Sequence, residues 1–165
     1  NQAWKYNEAI KRILNLEKIT KLYWVEEPII ASSSVNKWKS LRKNISTNIA
    51  AGENHYGSAD VKKYIKSKCF DFYQPDITKY GGISSFIEIY KDCKKDIKFL
   101  TPHYLGSGLG LFASANLISG ISNIPMEFDI TENEIRDEIF KKNLKIHQGK
   151  LILNKKPGIG INLNF

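Results

Sequence analysis

The sequence is poor in the residues that mark several large protein classes. Its two cysteines, Cys69 and Cys93, form neither a Cys-x-x-Cys pair nor a dense framework. That excludes a disulfide scaffold and points to reduced, structural thiols of an intracellular protein. No stretch reaches the roughly 18 consecutive apolar residues of a membrane span; even the most apolar region, "GLGLFASANLISGI" at 108–121, is broken by Gly, Ser and Asn. Glycine in dinucleotide-binding spacing is lacking too. The "GSGLG" of 106–110 follows a strand-like run and opens a helix-like one, but Gly-x-Gly-x-x-Gly needs a glycine where Leu111 stands. It reads as a tight loop beneath an active site. Methionine is missing from position 1, where Asn1 stands, so the native start is expected to lie upstream or to have been removed, along with any targeting segment before it. The expected location is cytoplasmic.

What is present suits an ordinary folded domain: 165 residues, 42% hydrophobic and 12% aromatic, enough to bury a core. Acids are outnumbered by bases, 17 to 25, for a net charge of +8. Such an excess can be the footprint of phosphate binding. Here the cations are scattered through helix-like segments ("EAIKRILNLEK", "VKKYIKSK", "YKDCKKDIK") with no basic stripe interleaved with stacking aromatics. They read as a solvated outer face, and no nucleic-acid or membrane partner is expected.

Five short runs have strand character and end in polar or charged residues: "LYWVEEP", "ISTNIAAGE", "DFYQPD", "IKFLTPH" and "PMEFD". Helical spacing fills the gaps, with stripes at Ile10, Ile13 and Leu14; Val35, Trp38 and Leu41; Val61, Tyr64 and Ile65; and Ile87 and Tyr90. "TENE" at 131–134 reads as a capping box. "PGIGIN" reads as turn chemistry leading into a terminal strand or extended tail. Strands alternating with amphipathic helices imply βαβ units and a parallel sheet, either doubly wound or a (β/α) barrel. Glu26, Glu53, Asp76, His103 and Glu127 follow one another at intervals of 27, 23, 27 and 24 residues. Each unit thus delivers one ionisable group at the end of its strand, where barrel active sites are built, so we favour the barrel.

Carboxylates converging on one rim repel unless protons or a cation offset them. With no Cys cluster and one nearby histidine, a hard ion such as Mg²⁺ is expected rather than zinc. His103, one strand beyond Asp76, is placed to act as a general base oriented by that carboxylate; His55 and His147 lack such placement.

In order along the chain, "NQAW", "WVEEPI", "AAGEN", "QPDITKYGGIS", "TPH", "MEFD" and "PGIG" resemble the C-terminal barrel of the enolase superfamily, in the mandelate racemase-like subgroup that includes many acid-sugar dehydratases. The resemblance implies metal-stabilised enediolate chemistry. Glu26 and Glu53 would be metal ligands, with Glu27 supporting Glu26. Asp76 and His103 would form the Asp–His dyad that moves the α-proton, and Glu127 would be the acid facing the enediolate. Asn1 would lie near the bound carboxylate. A sugar acid is the implied substrate, Mg²⁺ the cofactor, and a homo-oligomer the implied full-length form. Dehydration is favoured over racemisation, epimerisation or cycloisomerisation, and a non-catalytic remnant of the fold is the further alternative. The resemblance also implies a ligand Asp two residues before Asn1, a Lys-x-Lys base on an earlier strand and an N-terminal capping domain. A complete barrel runs to about 250 residues. These 165 are therefore expected to be a fragment holding the last five strands, with 1–150 as partial barrel and 151–165 as a tail toward the cap.

Overall fold

The computed structural model describes residues 1–95, 99–121 and 125–161, the side chains of Ser58 and Cys93 excepted. The Cys93 thiol and the end of the expected C-terminal strand therefore lie outside the described residues. In chain order the elements are α1 (Tyr6–Glu17), β1 (Val25–Glu26), α2 (Val35–Asn44), β2 (Ile49–Ala51), α3 (Ser58–Ser67), β3 (Phe72–Tyr73), α4 (Gly82–Cys93), β4 (Phe99–Leu100), α5 (Gly108–Ser119), α6 (Glu134–Asn143), β5 (Ile146–His147) and β6 (Lys150–Leu151). Among the described residues β1 to β4 form one sheet in sequential order. Every pair is parallel, with Glu26 opposite Ala50, Ala50 opposite Phe72, and Phe72 opposite Phe99. This is the open arc of a (β/α) barrel, because each helix returns the chain to start the next parallel neighbour. No described helix is long and apolar enough to cross a membrane.

One face of the arc packs on the helices. Ile13, Trp38, Leu41, Ile49, Ala51 and Val61 are fully buried there, and Trp38 meets Phe70 edge to face at 4.9 Å. On the opposite face Trp24 meets Phe72 at a tilt, 4.9 Å between centroids, and Phe72 stacks on Phe99 at 4.7 Å. Side chains two apart share a face, so this aromatic floor and Glu26, two residues beyond Trp24, lie on the same side.

The helical stripes are partly displaced from the sequence reading. Trp38 and Leu41, and Val61, Tyr64 and Ile65, are buried as expected. On α1 the core face is Ala9 and Ile13, with Leu14 exposed; on α4 it is Phe86 and Ile89, with Ile87 at the surface. In "FIEIY" both 86/89 and 87/90 satisfy the three-residue step, so spacing cannot choose between them.

Two further expectations are corrected. The fifth strand-like run, "PMEFD" at 125–129, carries no strand pairing among the described residues; it is tied to the end of β4 by Thr101 Oγ1 donating to the Pro125 carbonyl at 2.8 Å. The capping box is absent because α6 begins at Glu134, two residues later than a box headed by Thr131 requires. Asn133 is the cap, accepting from the Arg136 N–H at 2.9 Å. Thr131 instead donates its hydroxyl to Asp129 Oδ1 at 2.7 Å. The hairpin β5–β6 turns on Gln148 and Gly149, both at positive φ, the backbone of a two-residue hairpin turn. "PGIG" does turn, and Asn116 Nδ2 donates to the Ile159 carbonyl at 3.0 Å, seating the tail on α5.

Candidate active site

Each strand of the arc ends at the same rim, and each end is shaped locally. Glu26 closes β1. The next N–H, of Glu27, still pairs with the Ala50 carbonyl at 3.0 Å, and Pro28 then ends the ladder because it has no N–H. The N-terminal segment runs alongside: the Gln2 N–H donates to the Glu27 carbonyl at 2.6 Å and the Trp4 N–H to that of Pro28 at 3.2 Å. That alignment carries Asn1 to the rim.

Beyond β2, Gly52 sits at φ +140°. A Cβ there would meet the Tyr73 ring at 2.9 Å and the Gln74 backbone N at 3.0 Å, so only glycine allows the chain to turn and deliver Glu53. Asp76 is held by a local turn in which Oδ1 accepts from the Thr78 N–H at 2.8 Å and hydroxyl at 2.6 Å. Oδ2 is left for His103.

The structure brings all six expected residues together. Asn1 Nδ2 donates to Glu26 Oε1 at 3.3 Å and also to Glu53 Oε1. His103 Nδ1 lies 3.0 Å from Asp76 Oδ2, and its Nε2 lies 2.6 Å from Glu53 Oε2 and 3.8 Å from Glu127 Oε2. The Tyr104 N–H donates to Glu127 Oε2 at 2.9 Å. Ionised carboxylates only accept, so a histidine between Asp76 and Glu53 must donate from both nitrogens. Burial opposes that charge, yet the Asp76 hydrogen bond and the charges of Glu127 and Glu53 outweigh it and raise the His103 pKa. Burial likewise pushes the Glu127 carboxyl up, against the Tyr104 N–H and the His103 charge.

Glu27, at φ 33° just beyond β1, is fully buried. Asn54 Nδ2 donates to its Oε2 at 2.7 Å and the Gly52 N–H to its Oε1 at 3.4 Å. Burial raises its pKa, with the Glu53 and Glu26 charges adding to the effect.

Several groups at the site escaped the sequence reading. Gln74 Nε2 donates to Glu26 Oε2 at 2.9 Å, and Asn54 Nδ2 reaches Glu53 Oε1 at 3.2 Å as well as Glu27. Lys79 Nζ stands 3.6 Å from Glu53 Oε2 and 3.8 Å from Asp76 Oδ2. The signal for Lys79 was its place three residues after Asp76; Gln74 left no signal beyond its place in the "QPD" run. In "GSGLG", Gly108 and Gly110 are where α5 packs against Ile139 and the Tyr104 ring.

Glu26 and Glu53 fit a hard cation in kind, being carboxylates drawn onto a single hydrogen-bond donor, the Asn1 amide. They fall short in number. Among the described residues no group of three or more His, Cys, Asp or Glu could hold a metal ion.

Comparison with known proteins places this geometry. The chain is 26% identical over 163 residues to an arabinonate dehydratase from Saccharolobus solfataricus, covering 99% of this chain and 43% of that protein. Among solved structures it resembles the 3,6-anhydro-D-galactonate cycloisomerase from Zobellia galactanivorans, with TM-score 0.90 and 31% identity over 99% of this chain and 46% of that one. It also resembles an enolase from Pantoea ananatis with bound D-gluconate and Mg, with TM-score 0.83 and 26% identity over 99% of this chain and 39% of that one. The chain thus spans about two-fifths of the length of the proteins it matches. The model of the enolase C-terminal domain-like family matches residues 1–165, and with the partial barrel and rim described above, the chain belongs to that family, in its mandelate racemase-like group.

Proposed function

We propose that the protein containing this chain is a Mg²⁺-dependent dehydratase of a sugar acid. The observation that carries the reading is His103, held by Asp76 through Nδ1 with Nε2 facing Glu53 and Glu127. Arabinonate dehydratase activity in a relative and D-gluconate with Mg in a solved structure of similar fold support the substrate class and the ion.

In this reading Glu26 and Glu53 would hold the cation, with an Asp expected two residues before Asn1 as their third partner. When bound, the cation supplies positive charge to the substrate carboxylate and the enediolate derived from it. His103 acts in its neutral form, with Nε2 free of its proton: Nε2 takes the proton from the α-carbon, while Asp76 keeps the Nδ1 proton in place and offsets the imidazolium charge that forms. Glu127, its carboxyl biased toward the protonated form by burial, donates a hydrogen bond to the enediolate oxygen. Loss of the β-hydroxyl as water, with a proton supplied by an acid at the same rim, leaves the 2-enol, which gains a proton at the β-carbon and loses its enol proton to give the 2-keto-3-deoxy acid. The Asn1 amide positions the substrate carboxylate.

The same proposal places a Lys-x-Lys base and a capping domain in preceding sequence, with 1–150 as partial barrel and 151–165 returning toward the cap. The 165 residues alone then turn over little. A cytoplasmic location, which the buried free thiol of Cys69 suits, and a homo-oligomeric full-length form complete the proposal.

Cycloisomerisation is the second reading, favoured by the likeness to the Zobellia cycloisomerase; it shares proton removal and differs in what leaves the β-carbon. The test is a panel of sugar acids incubated with the full-length protein and Mg²⁺. A 2-keto-3-deoxy product supports dehydration, an isomer of unchanged mass supports cycloisomerisation, and no turnover of any member contradicts both.

A further inference from the structure

Gln74, which follows β3, is 2% exposed and makes an uneven pair of contacts. Its Nε2 donates to Glu26 Oε2 at 2.9 Å, while its Oε1 is buried with no hydrogen-bond partner among the described residues. The amide orientation follows from chemistry: an ionised carboxylate accepts only, so the N–H end must face Glu26. The contact reaches from β3 to β1 across β2, about two strand spacings of roughly 4.8 Å each. It is possible because β2 and the residue after it offer only Ala50 and Gly52 beneath it, Ala50 being in register with both Glu26 and Phe72.

An unpaired buried acceptor is a cost to the fold. An apolar side chain of the same length would fill the space without that cost, so stability does not account for an amide here. The bond to Glu26 does: with Oε2 held by Gln74, Glu26 has its other oxygen, Oε1, turned to the Asn1 amide that also reaches Glu53. We propose that Gln74 is a positioning residue for the cation site, fixing the carboxylate plane of Glu26 so that Oε1 faces Glu53. This rests on the reading of Glu26 and Glu53 as cation ligands. Outer groups that orient a ligand typically change metal affinity by about 10–100-fold when removed.

The probe is Mn²⁺ alone, titrated into the full-length protein and followed by the electron paramagnetic resonance signal of the free ion. Gln74→Met keeps length and bulk while removing both the N–H and the unpaired oxygen. The expected result is a dissociation constant raised about tenfold or more, with the thermal midpoint of the metal-free protein unchanged or higher. Gln74→Leu, which likewise lacks the N–H and adds no charge to the site, is expected to weaken binding by a similar factor and gives the same readout if Gln74→Met does not fold. Equal affinity in wild type and variant overturns the inference and leaves the cation reading standing, whatever happens to the midpoint. A wild-type protein that takes up no Mn²⁺, or a Glu26→Gln variant that binds as tightly as wild type, overturns both.

Discussion

His103 Nδ1 stands 3.0 Å from Asp76 Oδ2, and the other oxygen of Asp76 is occupied by the N–H and hydroxyl of Thr78. The carboxylate is thus fixed twice by its own loop before it meets the imidazole from the next strand. Asp76→Asn keeps the shape but can present an amide N–H to Nδ1, which favours the wrong tautomer and leaves Nε2 protonated. In the full-length enzyme turnover is expected to fall by about 10²–10⁴-fold, with the thermal midpoint little changed. Steady-state rates on the accepted sugar acid check this.

Gly52→Ala is expected to act at a distance of one residue on Glu53. The added Cβ would meet the Tyr73 ring and the Gln74 backbone, at a φ of +140° that alanine rarely adopts. Roughly 1–3 kcal/mol of stability is lost, read from urea unfolding, together with affinity for Mn²⁺ as Glu53 moves off the rim. A variant as stable as wild type that keeps full Mn²⁺ affinity would show that the turn tolerates a side chain.

Trp38 is fully buried under the sheet with its indole N–H donating to the Ala31 carbonyl at 3.4 Å. Trp38→Ala leaves a cavity and removes one of the two contacts of the Ala31 carbonyl, the other being His55 Nε2 at 3.4 Å, and about 3–5 kcal/mol of stability should disappear. Denaturant unfolding monitored by circular dichroism measures it.

Asp129 and Arg136 form a buried ion pair, Oδ2 to Nη1 at 2.7 Å, close in distance though not aligned as a hydrogen bond. Burial raises the Asp129 pKa, but the two Thr131 hydrogen bonds and the Arg136 charge outweigh it, and the net direction is down. A carboxyl whose folded pKa lies below its unfolded value, about 3.9, contributes stability that is present above that pH and lost as pH falls through the folded pKa. Asp129→Asn should therefore cost about 3 kcal/mol at neutral pH, the low end for a broken buried pair because Asp137 stays beside Arg136. It should also remove that part of the acid dependence. Unfolding midpoints between about pH 2 and pH 7 give both.

The parallel sheet and the rim were legible because their signals are coarse. A charged residue closing each strand-like run, once per βα unit, marks Glu26, Glu53, Asp76 and His103 whatever the packing details. Finer choices were not legible. Glu26 and Glu27 are adjacent in sequence, yet Glu26 closes β1 at the rim while Glu27 follows it at positive φ and is buried against Asn54, a turn that the residue types do not announce. The capping role of Asn133 over Thr131 was set by where α6 starts. The hairpin at 148–149 went unseen because Gln148 takes a left-handed position more often filled by Asn or Gly. Gln74 and Lys79 act through long-range contacts, and no local pattern encodes the reach of Gln74 across β2.

Removal of the α-proton by His103 is the claim on which the functional account rests, and exchange in D₂O tests it most directly. The full-length protein is incubated with Mg²⁺ and each sugar acid, and the α-proton is followed by nuclear magnetic resonance. The account predicts that at least one acid loses its α-proton signal, by exchange or by elimination, and that His103→Asn abolishes the loss. Conversion of an acid with its α-proton retained, or undiminished loss in His103→Asn, would contradict it.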